Sequence, residues 1–284
     1  MTLKKNDDIR LEITAFTSLG SGIGRFENMA VFVDGTAPGD EVTAHIIKVK
    51  KNYAVGKLRK LHRKSKLRTE SDCTVDSRCG GCAYRHIKYE GELDIKRQTV
   101  TDAMKRIGGI DLECEEILPI KEPEYYRNKA QIPVGLDSDG KIITGFYSKK
   151  SHRIIDCEEC KLQHKDFPRL VEAVKGYMYE NHVAVYNERT GDGLIRHIYL
   201  RQGVKTGETM VCLVINGDTI PGKERLVEKL LETGLDIKSV VLNKNKKDTN
   251  VVLGEECETV YGSDYIEDEL CGLRFRISPL SFYQ

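Results

Sequence analysis

Polar and apolar residues alternate at period two through the first sixty positions. Ile9, Leu11 and Ile13 alternate with Arg10 and Glu12, and residues 30–33, 41–46 and 53–58 follow as further short apolar runs, separated by Gly35-Thr36-Ala37-Pro38-Gly39-Asp40. Strands at this spacing, with no helical period between them, predict a small β-barrel over residues 1–64. Gly20-Ser21-Gly22-Ile23-Gly24 reads as a structural turn. Its G-x-G-x-G spacing leads into strand-like sequence, and a phosphate loop needs a helix N-terminus behind it.

The period then changes. Over residues 92–107, Leu93, Val100, Met104 and Ile107 fall on one helical face, ended by Gly108-Gly109. Residues 130–135 and 141–147 flank Asp137-Ser138-Asp139-Gly140, a hairpin signal. A helix over 166–181 is predicted, with Asp166 as N-cap and Leu170, Val171, Val174, Tyr177 and Met178 inward. Two long alternating strands (194–202 and 208–215), a helix over 221–233, and strands at 238–242, 250–253 and 273–277 complete an α+β region. Cys212, inside the run Met210–Ile215, reads as core.

A net charge of +1 conceals segregation. Residues 48–68 hold ten Lys/Arg and no acid, while residues 255–269 lean acidic through Glu255, Glu256, Glu258, Asp264, Glu267, Asp268 and Glu269. The one-sided basic block, with Tyr53 and His62 interleaved, suits a polyanion, and beside a small barrel it points to RNA. Lys50, Lys51, Lys57 and Arg59 are its candidate contacts, and Arg127 and Lys129, alternating on one strand, are further phosphate candidates. No apolar run long enough to span a bilayer and no apolar leader occur, so the chain reads as cytoplasmic.

Candidate metal chemistry concentrates in residues 65–90. Cys73, Cys79 and Cys82 are spaced C-x5-C-x2-C with Gly80-Gly81 in the tighter step, where glycine reaches positive φ freely. Three ligands leave a tetrahedral site open, and His86, Cys114, Cys157 or Cys160 could supply the fourth. Nine cysteines, an odd count, argue against a disulfide framework. A Cys3His zinc site completed by His86, in an RNA-binding module without catalysis, and a redox protein are the competing readings.

Taken together, several stretches resemble the S-adenosylmethionine-dependent RNA uracil-5-methyltransferases, with the closest likeness to the bacterial branch acting on 23S ribosomal RNA. Gly22-Ile23-Gly24-Arg25, Val31-Phe32-Val33 and Ala37-Pro38-Gly39-Asp40 look like the family's TRAM barrel, an OB-like fold, and Cys73-x5-Cys79-Gly80-Gly81-Cys82 looks like its [4Fe–4S] motif. Tyr126-Arg127-Asn128-Lys129, Ser151-His152-Arg153-Ile154-Ile155-Asp156, Leu194-Ile195-Arg196-His197, Asn250-Val251-Val252-Leu253-Gly254 and Ile277-Ser278-Pro279-x-Ser281-Phe282-x-Gln284 complete the set. The resemblance implies Cys160 as fourth cluster ligand, with Cys157 a bystander, Phe282 against a flipped target uracil, and Gln284 against S-adenosylmethionine. It implies covalent catalysis: a thiolate adds to uracil C6, C5 takes the methyl group, and a base removes the C5 proton. It implies an α+β central domain over 91–284 and a Rossmann-like methyltransferase domain thereafter. The sequence stops abruptly at Gln284 without a helix cap, and neither the cofactor loop nor the nucleophilic cysteine of that domain occurs in it. The expectation is therefore an N-terminal fragment, catalytic domain absent, that binds RNA without methylating it.

Overall fold

A computed structural model describes residues 3–282. They form two compact units: one of residues up to 76 together with 82–121, the other of 77–81 together with the residues from 122 onward.

Five strands close the barrel of the first unit: β1 (Asp8–Phe16), β2 (Ser21–Phe26), β3 (Met29–Asp34), β4 (Glu41–Val49) and β5 (Tyr53–Arg63), joined in the order β1-β2-β3-β5-β4. All neighbours are antiparallel except β3 and β5. Alternate residues point inward, and Ile9, Leu11, Ile13, Val31, Val33, Val42, Ala44, Ile46 and Ala54 fill the interior.

Only the start of the glycine-rich stretch is a turn, at Gly20 with φ +87°; Gly22 and Gly24 lie within β2, paired to Val33 and Val31. A Cβ on Gly24 would stand 2.1 Å from Leu11 Cδ1, and one on Gly22 2.1 Å from Thr36 Oγ1. These glycines make room inside a tight barrel rather than bending the chain.

Helix α1 (Tyr89–Arg106) forms near its predicted limits but buries another face. Gly91 and Ile95 are its buried residues, while Val100 and Ile107 are exposed. Ile95 packs with Ala37 and Ile87, flanked by Phe16, Leu67 and Tyr84, so only the first turns of the helix dock.

The second unit is built on a seven-stranded sheet. Its strands are β6 (Lys129–Leu136), β7 (Ile142–Tyr147), β8 (Ile154–Asp156), β9 (Ile195–Gln202), β10 (Thr209–Ile215), β11 (Ile237–Lys244) and β12 (Glu256–Gly262), in the order β12-β11-β10-β9-β6-β7-β8. Helices α2 (Phe167–Glu180) and α3 (Lys223–Leu231) cover one face through Phe167, Leu170, Val174, Tyr177, Leu226 and Leu230. On the opposite face Tyr199, Cys212, Val214 and Val241 pack beneath Val252 and Leu253. A hairpin of β13 (Ile266–Leu270) and β14 (Leu273–Ile277) adds Ile266 and Ile277 against Met210. β9 and β10 are therefore buried along their whole length rather than on alternate residues, as the expectation of alternating strands had it.

Two expected features differ. Residues 250–253 form a loop, because Asn245 donates to the Val251 and Val252 carbonyls at 2.7 and 3.0 Å and Asn243 brackets Gly254. Those side chains take the backbone groups a ladder would have used. Asp166 makes no side-chain cap; its carboxylate accepts instead from Gln202 Nε2 at 3.2 Å.

Candidate nucleic-acid interface

The barrel's basic block divides into committed and free charge. Arg59 is bound to Asp8, Arg63 to Glu12 at 3.2 Å, and Arg68 to the fully buried Asp40 at 2.7 Å. Burial would raise the Asp40 carboxyl, but the Arg68 guanidinium and the Ser65 and Ala37 amides hold it below its ordinary value. Lys50 and Lys51, at the β4–β5 turn, and Lys57 on β5 are exposed, and among the described residues no carboxylate pairs with them. Beside them Phe32 and Tyr53 meet edge to face at 5.6 Å on the outer surface. Cations beside exposed rings suit single-stranded RNA.

In the second unit a cleft of about 590 Å3 is lined by Tyr126, Arg127, Asn128, Lys129, Gln131, Phe146 and Gln163. Lys129 begins β6 and pairs with Arg201 of β9. Burial, then the Arg201 charge, lowers its ammonium pKa. The Lys129 ammonium lies 5.7 Å from the centre of the Phe282 ring, which is almost wholly exposed. Arg127 is fixed through its backbone, donating to Leu162 O at 2.9 Å and accepting from His164 N at 3.0 Å. Gln163 is buried, and its Oε1 finds no hydrogen-bond partner among the described residues. The cleft thus combines cations, an exposed ring and a buried unsatisfied acceptor, a set suited to an RNA backbone with one unstacked base.

Sequence reasoning missed Arg201. It is nearly fully buried, donates to Tyr199 Oη at 2.8 Å and holds the Ser281 carbonyl. It therefore holds the segment carrying Phe282 and stands in register with Lys129. An arginine inside a strand otherwise rich in apolar residues was the available signal.

The predicted cluster ligands are distributed differently from the expectation. Cys73 and Cys82 belong to the first unit, Cys79 and Cys160 to the second. Cys79 bridges to Ser148, and Gly81 N–H donates to its Sγ at 3.4 Å. Neither Gly80 nor Gly81 has positive φ; a Cβ on Gly80 would instead stand 2.9 Å from Lys149 N and 3.0 Å from Tyr147 O. Cys160 accepts at its carbonyl from Gln163 N at 3.1 Å. His86, the alternative ligand, has its Nε2 3.1 Å from the Thr36 carbonyl. No disulfide joins the nine cysteines, and among the described residues no three His, Cys, Asp or Glu side chains are gathered to hold a metal. Four thiolates have the right donor chemistry for an iron–sulfur cluster, and the cluster expectation is not shown by the structure. Gln284 lies outside the described residues.

Comparison with known proteins places these features in context. Residues 3–58 match the family model of the TRAM domain. The chain is 42% identical over 282 residues to a protein of Clostridium tetani named an uncharacterized RNA methyltransferase, covering 99% of this chain and 61% of that protein. A Bacillus cereus protein named likewise is 38% identical over 283 residues, at 99% and 61% coverage. Among solved structures, the Pyrococcus abyssi tRNA (uracil-54, C5)-methyltransferase in complex with S-adenosyl-L-homocysteine superposes with a TM-score of 0.72 and 26% identity, over 96% of this chain and 61% of that one. The chain spans about three fifths of the length of the curated relatives it matches.

The expected split into an inactive RNA-binding fragment and an absent catalytic domain is corrected to this extent: 99% of the chain aligns within a protein named a methyltransferase, of which it spans 61%. Residues 278–281 are held by a local bond, Ser278 N donating to Ser281 Oγ at 3.0 Å, and by Arg201, which holds the Ser281 carbonyl. No helix among the described residues is long and apolar enough to cross a membrane.

Proposed function

We propose that this chain engages RNA for S-adenosylmethionine-dependent methylation of a uracil at C5. The observation that carries the reading is the cleft that Lys129 and Arg127 line together with the buried, unsatisfied Gln163, with the exposed Phe282 ring 5.7 Å from the Lys129 ammonium. Lys129 and Arg127 would neutralise phosphates, Phe282 would stack on the unstacked uracil, and Lys50, Lys51 and Lys57 on the barrel would add salt-sensitive affinity. Arg201 would hold the Phe282 segment in place.

S-adenosylmethionine is the proposed methyl donor, supported by the S-adenosyl-L-homocysteine held in the Pyrococcus abyssi complex, with Gln284 its proposed contact from the family likeness. The proposed substrate is 23S ribosomal RNA on the same likeness; the solved neighbour is named for tRNA, and competition between the two RNAs separates them. A [4Fe–4S] cluster on Cys73, Cys79, Cys82 and Cys160 is a proposal carried by cysteine spacing and family likeness alone, and iron analysis tests it.

The direct test of RNA engagement is fluorescence anisotropy on a labelled uridine-rich single strand across a salt series. Wild-type affinity should fall with salt, and Lys129→Ala should weaken binding and reduce the salt slope by about 1. Binding that ignores both salt and Lys129 would remove the reading.

A further inference from the structure

A second cavity in the same unit shares no lining residue with the Lys129 cleft. It encloses about 270 Å3, and Tyr147, His152, Tyr186, Glu188, Arg196 and His197 give it its chemistry. That volume is near the lower bound of about 300 Å3 for small-molecule sites, which suits one planar heterocycle.

The walls are flat. Tyr147 and His152 stack with ring centres 5.2 Å apart and planes inclined by 23°. The Arg196 guanidinium lies 4.4 Å from the centre of the Tyr186 ring. Arg196 is buried and pinned, with Nη1 donating to the Asn245 and Lys247 carbonyls at 2.7 and 2.9 Å and Nη2 to Thr249 O at 3.4 Å. It offers a fixed planar surface rather than a free fork for phosphate.

One carboxylate stands among the polar groups of the lining. Glu188 is half exposed and lies 3.0 Å from His152 Nδ1. Burial, then the Glu188 carboxylate, pushes the Tyr147 hydroxyl up to about 12, so it stays protonated. Burial, then Arg196, pushes His197 down to about 4, so its ring is neutral at pH 7. Its Nε2 faces the Tyr147 hydroxyl at 3.5 Å. The cavity therefore offers the Glu188 carboxylate as its charged acceptor, beside His197, whose Nδ1 is buried with no hydrogen-bond partner among the described residues. A carboxylate has about four lone-pair sites and repels carbonyl edges. Uracil presents two carbonyls. Guanine alone presents a ring N–H and an exocyclic amino group side by side, a pair that a carboxylate can accept together.

We propose that this cavity binds an unstacked guanine of the RNA, stacked on the Tyr147–His152 wall and read through its N1–H and amino group by Glu188. The RNA as its source rests on the proposed function above. The guanine site would fix the strand at a second point beside the target uracil and so narrow the sequences that can be engaged.

The test titrates the whole chain with GMP, AMP and UMP, followed by tyrosine fluorescence, which is available because the chain has no tryptophan. A uridine heptamer with one central guanosine is then compared with the all-uridine heptamer. GMP should bind at least tenfold more tightly than UMP. Glu188→Gln should abolish that preference, His152→Phe should keep it and His152→Ala should weaken it. The guanosine heptamer should bind more tightly than the uridine one, and only Glu188→Gln should erase the difference, while Lys129→Ala weakens both alike. Glu188 is exposed enough that its variant should stay folded, which circular dichroism checks. Equal binding of GMP and UMP overturns the proposal. Heptamers that bind without a guanosine preference overturn it and leave RNA engagement intact. GMP selectivity with no binding of either heptamer makes the cavity a free-nucleotide site and overturns both the RNA source and the proposed function.

Discussion

Replacing Asp40 by asparagine should unfold the barrel more readily than any surface change. The Asp40 carboxylate is fully buried, and its Oδ2 accepts Ala37 N–H at 2.6 Å while Oδ1 accepts Ser65 N–H at 2.8 Å. Arg68 Nε reaches both oxygens at 2.9 and 3.0 Å, and Nη2 adds a bond of 2.7 Å. The clasp ties the β3–β4 turn to the chain leaving β5. Asparagine keeps one acceptor and turns an amide NH2 toward these donors, leaving Arg68 uncompensated. Each charge-assisted bond contributes about 1.5–3 kcal/mol, and breaking a buried pair costs about 3–5 kcal/mol. For a unit of this size that lowers the barrel's midpoint by on the order of 10–20 °C. Hydrogen exchange of the β1–β5 amides under urea reads the barrel apart from the second unit. The folded pKa of Asp40 lies below its ordinary value. Its contribution is therefore complete above about pH 4 and is lost as pH falls through the folded value. The wild-type advantage over Asp40→Asn should be constant from pH 6 to 8 and shrink toward pH 3. A barrel destabilised by less than about 1 kcal/mol at pH 7, or an advantage unchanged at pH 3, would refute the reasoning.

Three further outcomes are expected. Gly24→Ala places a methyl group 2.1 Å from Leu11 Cδ1 and 2.7 Å from Glu12 O, and should cost about 1–3 kcal/mol of barrel stability in urea titration. Lys50→Ala with Lys51→Ala should weaken RNA binding, whereas Arg63→Ala, whose charge is already paired with Glu12, should change it little; anisotropy at fixed salt compares them. Anaerobically purified protein should contain about four iron and four sulfide per chain, both lost in Cys160→Ser; one zinc without sulfide would favour the zinc reading.

Local pattern was enough for the barrel's strands, the Asp137–Gly140 turn and both helices of the second unit, because alternation, turn residues and the 3.6-residue period act over neighbours in sequence. The candidate cations Lys129 and Arg127 were legible for the same reason: their residue types and spacing are local. Pattern failed where distant segments compete for one group. Gly22 and Gly24 looked like a loop because sequence does not show Leu11 and Thr36 pressing on them. Residues 250–253 looked like a strand because it does not show Asn243 and Asn245 capturing their backbone. Arg59 reads in sequence as a candidate RNA contact, and only the fold shows it paired with Asp8. The sequence by itself determined which chemistry was present: a basic barrel, clustered thiols, an aromatic beside a lysine. Only the tertiary structure decided which of those charges are free, that Arg201 links Lys129 to the Phe282 segment, and that Tyr147, His152, Glu188 and Arg196 share one cavity, because long-range hydrogen bonds and burial depend on contacts that no local period encodes.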